Sequence, residues 1–264
     1  MVTLITSRDP KGLHLTGLFE AVVNKAELDD ESAQRIIERG GEFQEGIGTL
    51  LEKLSRFITS EDRAIAILGK TKVVTASKVA GYWGEHEPQQ VLLPAEDVLT
   101  QCARENEAGI ADWRLVYVLG LSLRVQREIR GVDRKRQPCF YNNIWWLESS
   151  EDSWAANFAE PGYRLLNFKI QFTRKNWQEQ EEGIGNLGED YERAHETAVA
   201  EAIQSVYMSC GECFLESAYH RGHSLDSGGN RVRVGGFDAV GLSVSYYGDG
   251  NRSDFLGVVL ARKF

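Results

Sequence analysis

The chain is poor in proline, cysteine and methionine, with five, four and two of them in 264 residues, and it lacks any long apolar run. No stretch approaches the ~18 consecutive apolar residues that a membrane-spanning helix requires, so no membrane span is expected. The opening segment MVTLITSRDPKG has no basic n-region, and its apolar part is too short for a signal h-region. A cytoplasmic protein is therefore expected, with a cell-surface or virion location as the open alternative. The four cysteines, Cys102, Cys139, Cys210 and Cys213, do not read as a disulfide framework, which is a device of small secreted domains. Positive charge is also short: 30 Lys and Arg stand against 39 Asp and Glu, a formal charge of −9, which argues against nucleic acid as the main partner. The one basic cluster, Arg130, Arg134, Lys135 and Arg136, is interrupted by Asp133 and reads as a solvated loop.

Catalytic signatures are equally sparse. Gly69-Lys70-Thr71 has the end of a phosphate loop, but Ala64 stands where that motif needs its first glycine. Cys210 and Cys213 have CxxC spacing, and the nearby His220 and His223 would complete a zinc set only with unusual gaps, so two structural thiols are expected. His195-Glu196 lacks the second histidine of the metalloprotease pattern, Val199 standing in its place, and reads as helix surface. No serine elbow or dinucleotide fingerprint occurs. No catalytic residue, metal ligand or cofactor is assigned.

What is present is glycine. Twenty-six glycines against five prolines suit many tight turns and irregular loops, because glycine takes positive φ without steric cost. The length allows one large domain or two modest ones. From Leu13 to about Ile58, apolar residues recur at three- and four-residue steps, predicting two amphipathic helices separated at Gly40-Gly41. Ala64 to Val74 reads as a strand or a buried helical turn. Breakers and charges gather between Gly81 and Pro94, which places a boundary between a helical region, 1–80, and a second domain, 90–264. In that domain a helix is expected over Ala95 to Asn106, and strands over Trp113 to Val118 and Tyr163 to Phe168. Another helix is expected from Gly188 to Met208, its alanine stripe packed on a sheet and its glutamates mostly off that stripe.

From Arg231 onward the period changes to two, with Val232/Val234 and Leu242/Val244 separated by glycine turns. A frame of Gly, Arg, Val and Leu is interleaved with a chemically mixed set: Asp238, Ala239, Val240, Ser243, Ser245, Tyr246, Tyr247, Asp249, Asn251, Ser253 and Phe255. Tyr with small polar residues is the composition of an antibody paratope. His223, Leu225 and Asp226 extend the candidate binding surface toward the N-terminal side, so the stretch is about 223–255.

Arg231-Val232, Gly235-Gly236-Phe237, Asn251-Arg252 and Gly257-Val258-Val259-Leu260 resemble the variable region of diversity-generating retroelement target proteins, with Phe237 where Trp is usual. Trp113, Pro138-Cys139-Phe140, Trp145-Trp146-Leu147 and Glu192 to Glu196 are similar to proteins of candidate-phyla bacteria, which often carry such elements. The resemblance covers residues 90 to 264. It implies an α+β chain with a C-type lectin fold, two helices and a twisted, loop-rich antiparallel sheet, preceded by the helical region. It also implies a ligand-binding protein, not an enzyme, whose exposed positions change when adenines of AAY codons are mutated. The expected ligand is a protein. The alternatives are a formylglycine-generating-type enzyme of the same fold, which needs reactive cysteines in a late loop, a calcium-dependent lectin, and a phage or cell-surface attachment protein.

Overall fold

The computed structural model describes residues 10–26, 28–55, 60–84, 92–143, 145–147 and 154–264. The chain divides into two compact units, Met1–Ser55 and Arg56–Phe264.

The first unit carries three helices, α1 (Pro10–Lys25), α2 (Asp30–Glu38) and α3 (Gly40–Ser55). Two were expected. The additional break falls ahead of α2, where the Asp29 carboxylate accepts from the Ser32 N–H at 2.7 Å and so satisfies a free amide of the first turn. Gly40 and Gly41 open α3, while α2 closes at Arg39. Phe19 and Phe43 meet edge to face at 6.0 Å, yet none of the described side chains of this unit is buried.

The second unit is mixed α and β. In chain order it comprises α4 (Glu61–Leu68), β1 (Val73–Val74), α5 (Ala76–Trp83), α6 (Glu96–Glu107), β2 (Trp113–Val118), α7 (Leu123–Arg130), β3 (Gly162–Gln171), α8 (Trp177–Gly185), β4 (Tyr191–Arg193), α9 (Glu196–Cys210), β5 (Tyr219–Leu225), β6 (Arg231–Asp238), β7 (Gly241–Tyr247) and β8 (Leu256–Arg262). The strands form one sheet in the order β1-β2-β3-β8-β5-β6-β7, with β4 also on β8. Pairing is antiparallel except at β1–β2 and β5–β8. Residues Leu256 to Ala261 of β8 are all buried, which fits a strand with neighbours on both edges and an apolar sequence with no alternation.

Helix α9 crosses this sheet. The Gly188 to Met208 periodicity overstates it at the N-terminal side, because Tyr191–Arg193 pairs with Leu260 to Arg262 and leaves the helix to begin at Glu196. Every residue from Glu196 to Val206 is buried, so Glu196 and Glu201, expected off the packed stripe, are enclosed, while Glu189 and Glu192, ahead of the helix, are exposed. The region before the Gly81–Pro94 break belongs to the same core. Ala64, Leu68, Val73, Val79 and Trp83 join the buried cluster, and the Trp83 indole donates to Ser205 Oγ of α9 at 2.8 Å. The edge of this unit is therefore at Arg56, and the break is a connection within it; 85–91 lie outside the described residues. Among the described residues no helix is long and apolar enough to cross a membrane.

Candidate binding face

Strands β5, β6 and β7 form an antiparallel meander whose register sorts the C-terminal residues onto two sides. Val232, Val234, Leu242 and Val244 point into the core and are fully buried. On the opposite side Arg233 lies across from Ser245, Gly235 from Ser243 and Arg231 from Tyr247. Tyr219 pairs with Gly235 and Arg221 with Arg233, so β5 adds both to that outer face. Close backbone approaches set its shape. Gly235 has φ of +150°, and a Cβ there would lie 2.3 Å from the Ala218 carbonyl oxygen; one at Gly241, at φ +111°, would press on the backbone from Cys139 to Tyr141.

None of the fourteen predicted positions is buried. They do not form one patch. Ser243, Ser245, Tyr247 and Phe255 gather around Arg233, whose guanidinium carbon lies 3.9 Å from the Tyr219 ring centre, 4.2 Å from Tyr247 and 5.7 Å from Phe255. Asp249, Asn251 and Ser253 stand on the loop that follows β7, and His223, Leu225 and Asp226 are at the same end, where Leu225 pairs with Arg231. Asp238, Ala239 and Val240 form the turn at the other end of the β6–β7 hairpin, roughly 23 Å away at ~3.3 Å per residue. Tyr246 belongs to neither group: it projects to the reverse side and meets Trp145 edge to face at 4.9 Å.

Fixed residues hold the loop by its backbone. The Trp177 N–H donates to the Asp249 carbonyl at 2.9 Å, the Arg174 N–H to the Ser253 carbonyl at 2.7 Å, and the Arg221 guanidinium to the Asn251 carbonyl at 2.7 Å. Arg231 pairs with the Asp249 carboxylate at 2.9 Å, and Arg252 reaches Glu179 of α8 at 2.9 Å. Trp177 itself is clasped between two guanidinium groups, Arg193 at 3.9 Å and Arg231 at 3.8 Å, with His223 against its edge. Burial pushes the Arg193 guanidinium down to about 10 against the upward pull of Glu181 at 2.7 Å. Two predicted positions have local tasks: Asp226 accepts from the Gly228 and Asn230 N–H groups to form its turn, and Asp238 accepts from Val240 N–H.

Trp177, Tyr219, Arg193, Arg221 and Arg233 were not among the predicted site residues. Arg231-Val-Arg233-Val carries a legible signal, since cations alternating with buried valines must share the face away from the core. Trp177 and Tyr219 carry none, because only the tertiary pairing of α8 and β5 with β6 brings them there.

The other motifs resolve into structure. Gly69, at φ +96°, closes α4, and Lys72 of the GKT segment's turn pairs with Asp112 at 2.5 Å. Cys210 ends α9 ahead of Gly211 in the left-handed conformation, and both CxxC cysteines are free thiols. Burial pushes the Cys213 thiol up. His220 is fully buried, with Nδ1 accepting from Val259 N–H at 3.0 Å and Nε2 at 2.9 Å from the Ala194 carbonyl. Among the described residues no three His, Cys, Asp or Glu are grouped to hold a metal. Arg130 departs from the solvated-loop reading: it stacks 4.3 Å over Trp83 and donates to the Tyr82 carbonyl, while Arg134, Lys135 and Arg136 are exposed. Glu196 is not helix surface but fully buried, with one oxygen accepting from His223 N–H at 3.0 Å.

Comparison with protein-family models, characterised proteins and solved structures finds no match to this chain.

Proposed function

We propose that this chain is a ligand-binding protein of the C-type lectin fold, of the retroelement-diversified kind, and that its exposed C-terminal positions set what it binds. The observation that carries the reading is the division of labour along 231–257. Val232, Gly235, Gly241, Leu242 and Gly257 of the frame are buried, whereas every interleaved position reaches the surface. Surface substitutions away from special features usually stay within about 0.5 kcal/mol, so such positions tolerate wholesale replacement.

Two further features support it. The loop bearing Asp249, Asn251 and Ser253 is held through its carbonyl groups by Trp177, Arg221 and Arg174, a geometry indifferent to the loop's own side chains. The arrangement of β3, then helices α8 and α9, then a β5–β6–β7 meander, with β8 returning beside β3, suits the two-helix, largely antiparallel plan of the lectin fold. The ligand is a protein on this reading, since Tyr, Ser, Asp and Asn over a rigid sheet are the means by which paratopes fit protein surfaces.

The decisive measurement is on the DNA. A nearby near-copy of the segment encoding Arg231 to Phe255, differing almost only at adenines and accompanied by a reverse-transcriptase gene, is the expected result. A neighbourhood with neither, or codons at Ser243, Ser245, Tyr247 and Asp249 that adenine changes cannot produce, defeats the diversification.

A further inference from the structure

Arg221 and Arg233 stand directly opposite one another across β5 and β6, an arrangement of like charges that destabilises a strand pair unless something offsets it. No carboxylate hydrogen-bonds to either among the described residues; Asp249, whose charge bears on Arg221, is bonded to Arg231 instead. The neighbouring cations each have a carboxylate: Arg231 has Asp249, Arg193 has Glu181 and Arg252 has Glu179. Arg221 is fully buried, and its hydrogen bonds go to two neutral oxygens, Gln180 Oε1 at 3.4 Å and the Asn251 carbonyl at 2.7 Å. Arg233 is held only by rings; its Nε and Nη1 are enclosed and have no hydrogen-bond partner. A chain with a formal charge of −9 thus keeps a cation without an acidic partner, Arg233, at the outer face of its candidate binding sheet, with the buried Arg221 behind it.

Resting on the binding function proposed above, we infer that Arg233, backed by Arg221, is a fixed anchor for a carboxylate of the ligand, an aspartate or glutamate side chain of a protein surface. With Nε and Nη1 enclosed, a carboxylate would meet the guanidinium at Nη2 through a charge-assisted hydrogen bond. Tyr219, Tyr247 and Phe255 shield the pair from water, which strengthens a charged hydrogen bond. Ser245, opposite Arg233, and Ser243 beside it are small enough to leave room and supply hydroxyl donors. Arg233 and Tyr219 lie outside the interleaved set, so the anchor is common to all variants while the rim around it changes. A long polyanion fits less well, because the acidic remainder of the chain repels it.

The test uses the full chain and a fluorescein-labelled peptide of six glutamates, followed by anisotropy at low salt, with the six-glutamine peptide as its neutral counterpart. The glutamate peptide is expected to bind, the glutamine peptide to fail, and Arg233→Met, which keeps the stacked stem, to weaken binding by about tenfold or more. Arg136→Met, on the exposed basic loop, should leave affinity unchanged. Should Arg233→Met fail to fold, Arg233→Lys replaces it, with weaker binding expected because the flat, ring-stacked guanidinium is lost. No binding by the wild type, equal loss in Arg136→Met, full affinity in Arg233→Lys, or a DNA oligonucleotide binding as tightly as the peptide each overturns the assignment. Peptide binding that depends on Arg233, in a gene without a template copy, would retain the anchor and remove the diversification; the converse pair of results would do the opposite.

Discussion

Glu201 is a carboxyl enclosed in α9 whose oxygens accept from Leu119 N–H at 2.5 Å and Leu121 N–H at 3.1 Å, with Gly120 contributing a third amide. Burial outweighs these donors and raises its pKa from 4.5 to about 7. A carboxyl with a raised folded-state pKa favours the folded state most when protonated. Its contribution is complete below pH 4.5 and is lost as pH rises to about 7, an effect on the order of 3 kcal/mol at about 1.4 kcal/mol per unit. Urea melts of the wild type and Glu201→Gln between these limits should therefore show the wild type losing stability relative to the variant as pH rises. A difference that stays flat with pH would refute the assignment. On the outer face, Ser243→Tyr should change stability by less than about 0.5 kcal/mol. Gly235→Ala, which drives a Cβ into the Ala218 carbonyl from a left-handed φ, should cost on the order of 2 kcal/mol or more. Thermal melts of the two variants decide it, and equal stability would remove the distinction between frame and interleaved positions.

At the scale of elements, legibility follows the range over which each signal acts. Strands β2, β6 and β7 and the start of β3 are visible because β-branched and aromatic runs bounded by glycine are local patterns. Helix α6 is likewise found within a residue or two of its expected span. The start of α9 is missed because Tyr191 to Arg193 keeps helical spacing, yet finds partners in β8, nearly seventy positions on. Periodicity cannot register that competition. The same helix shows why its glutamates were misplaced: an amphipathic reading assumes one wet side, whereas α9 has the sheet against it and the Leu119–Leu121 loop bound to its polar groups. At the candidate face the interleaving of buried and exposed residues was legible from period two alone. What escaped is the clustering: Asp238 to Val240 lie at the turn, the far end of the hairpin, and Tyr246, in step with Leu242 and Val244, falls on the reverse side, as period two itself requires.

For the whole molecule, the two units differ in how much they enclose. The helices of Met1–Ser55 bury none of their described side chains, and a helix of this length in water draws most of its stability from a packed apolar face. Limited trypsin digestion followed by mass spectrometry should cut first at Lys25, Arg35 and Arg39, leaving fragments that begin near Arg56 and retain β2 to β8. Early cleavage between β5 and β8 would show instead that the second unit is the looser one. Deleting residues 256–264 removes the strand between β3 and β5, and the product should lack a cooperative melt, as read by near-UV circular dichroism.

The placing of β8 also bears on the diversification proposed above. The ribosome must read through every candidate codon from His223 to Phe255 before it reaches the strand that joins the two halves of the sheet. Long-range pairings of this kind form late and leave exposed edges until they close. On that proposal, changed adenines in AAY codons create neither a stop nor a shifted frame, so every version of the surface would still carry β8 and close its sheet. Versions of that surface would then differ in their exposed side chains while sharing one completed sheet.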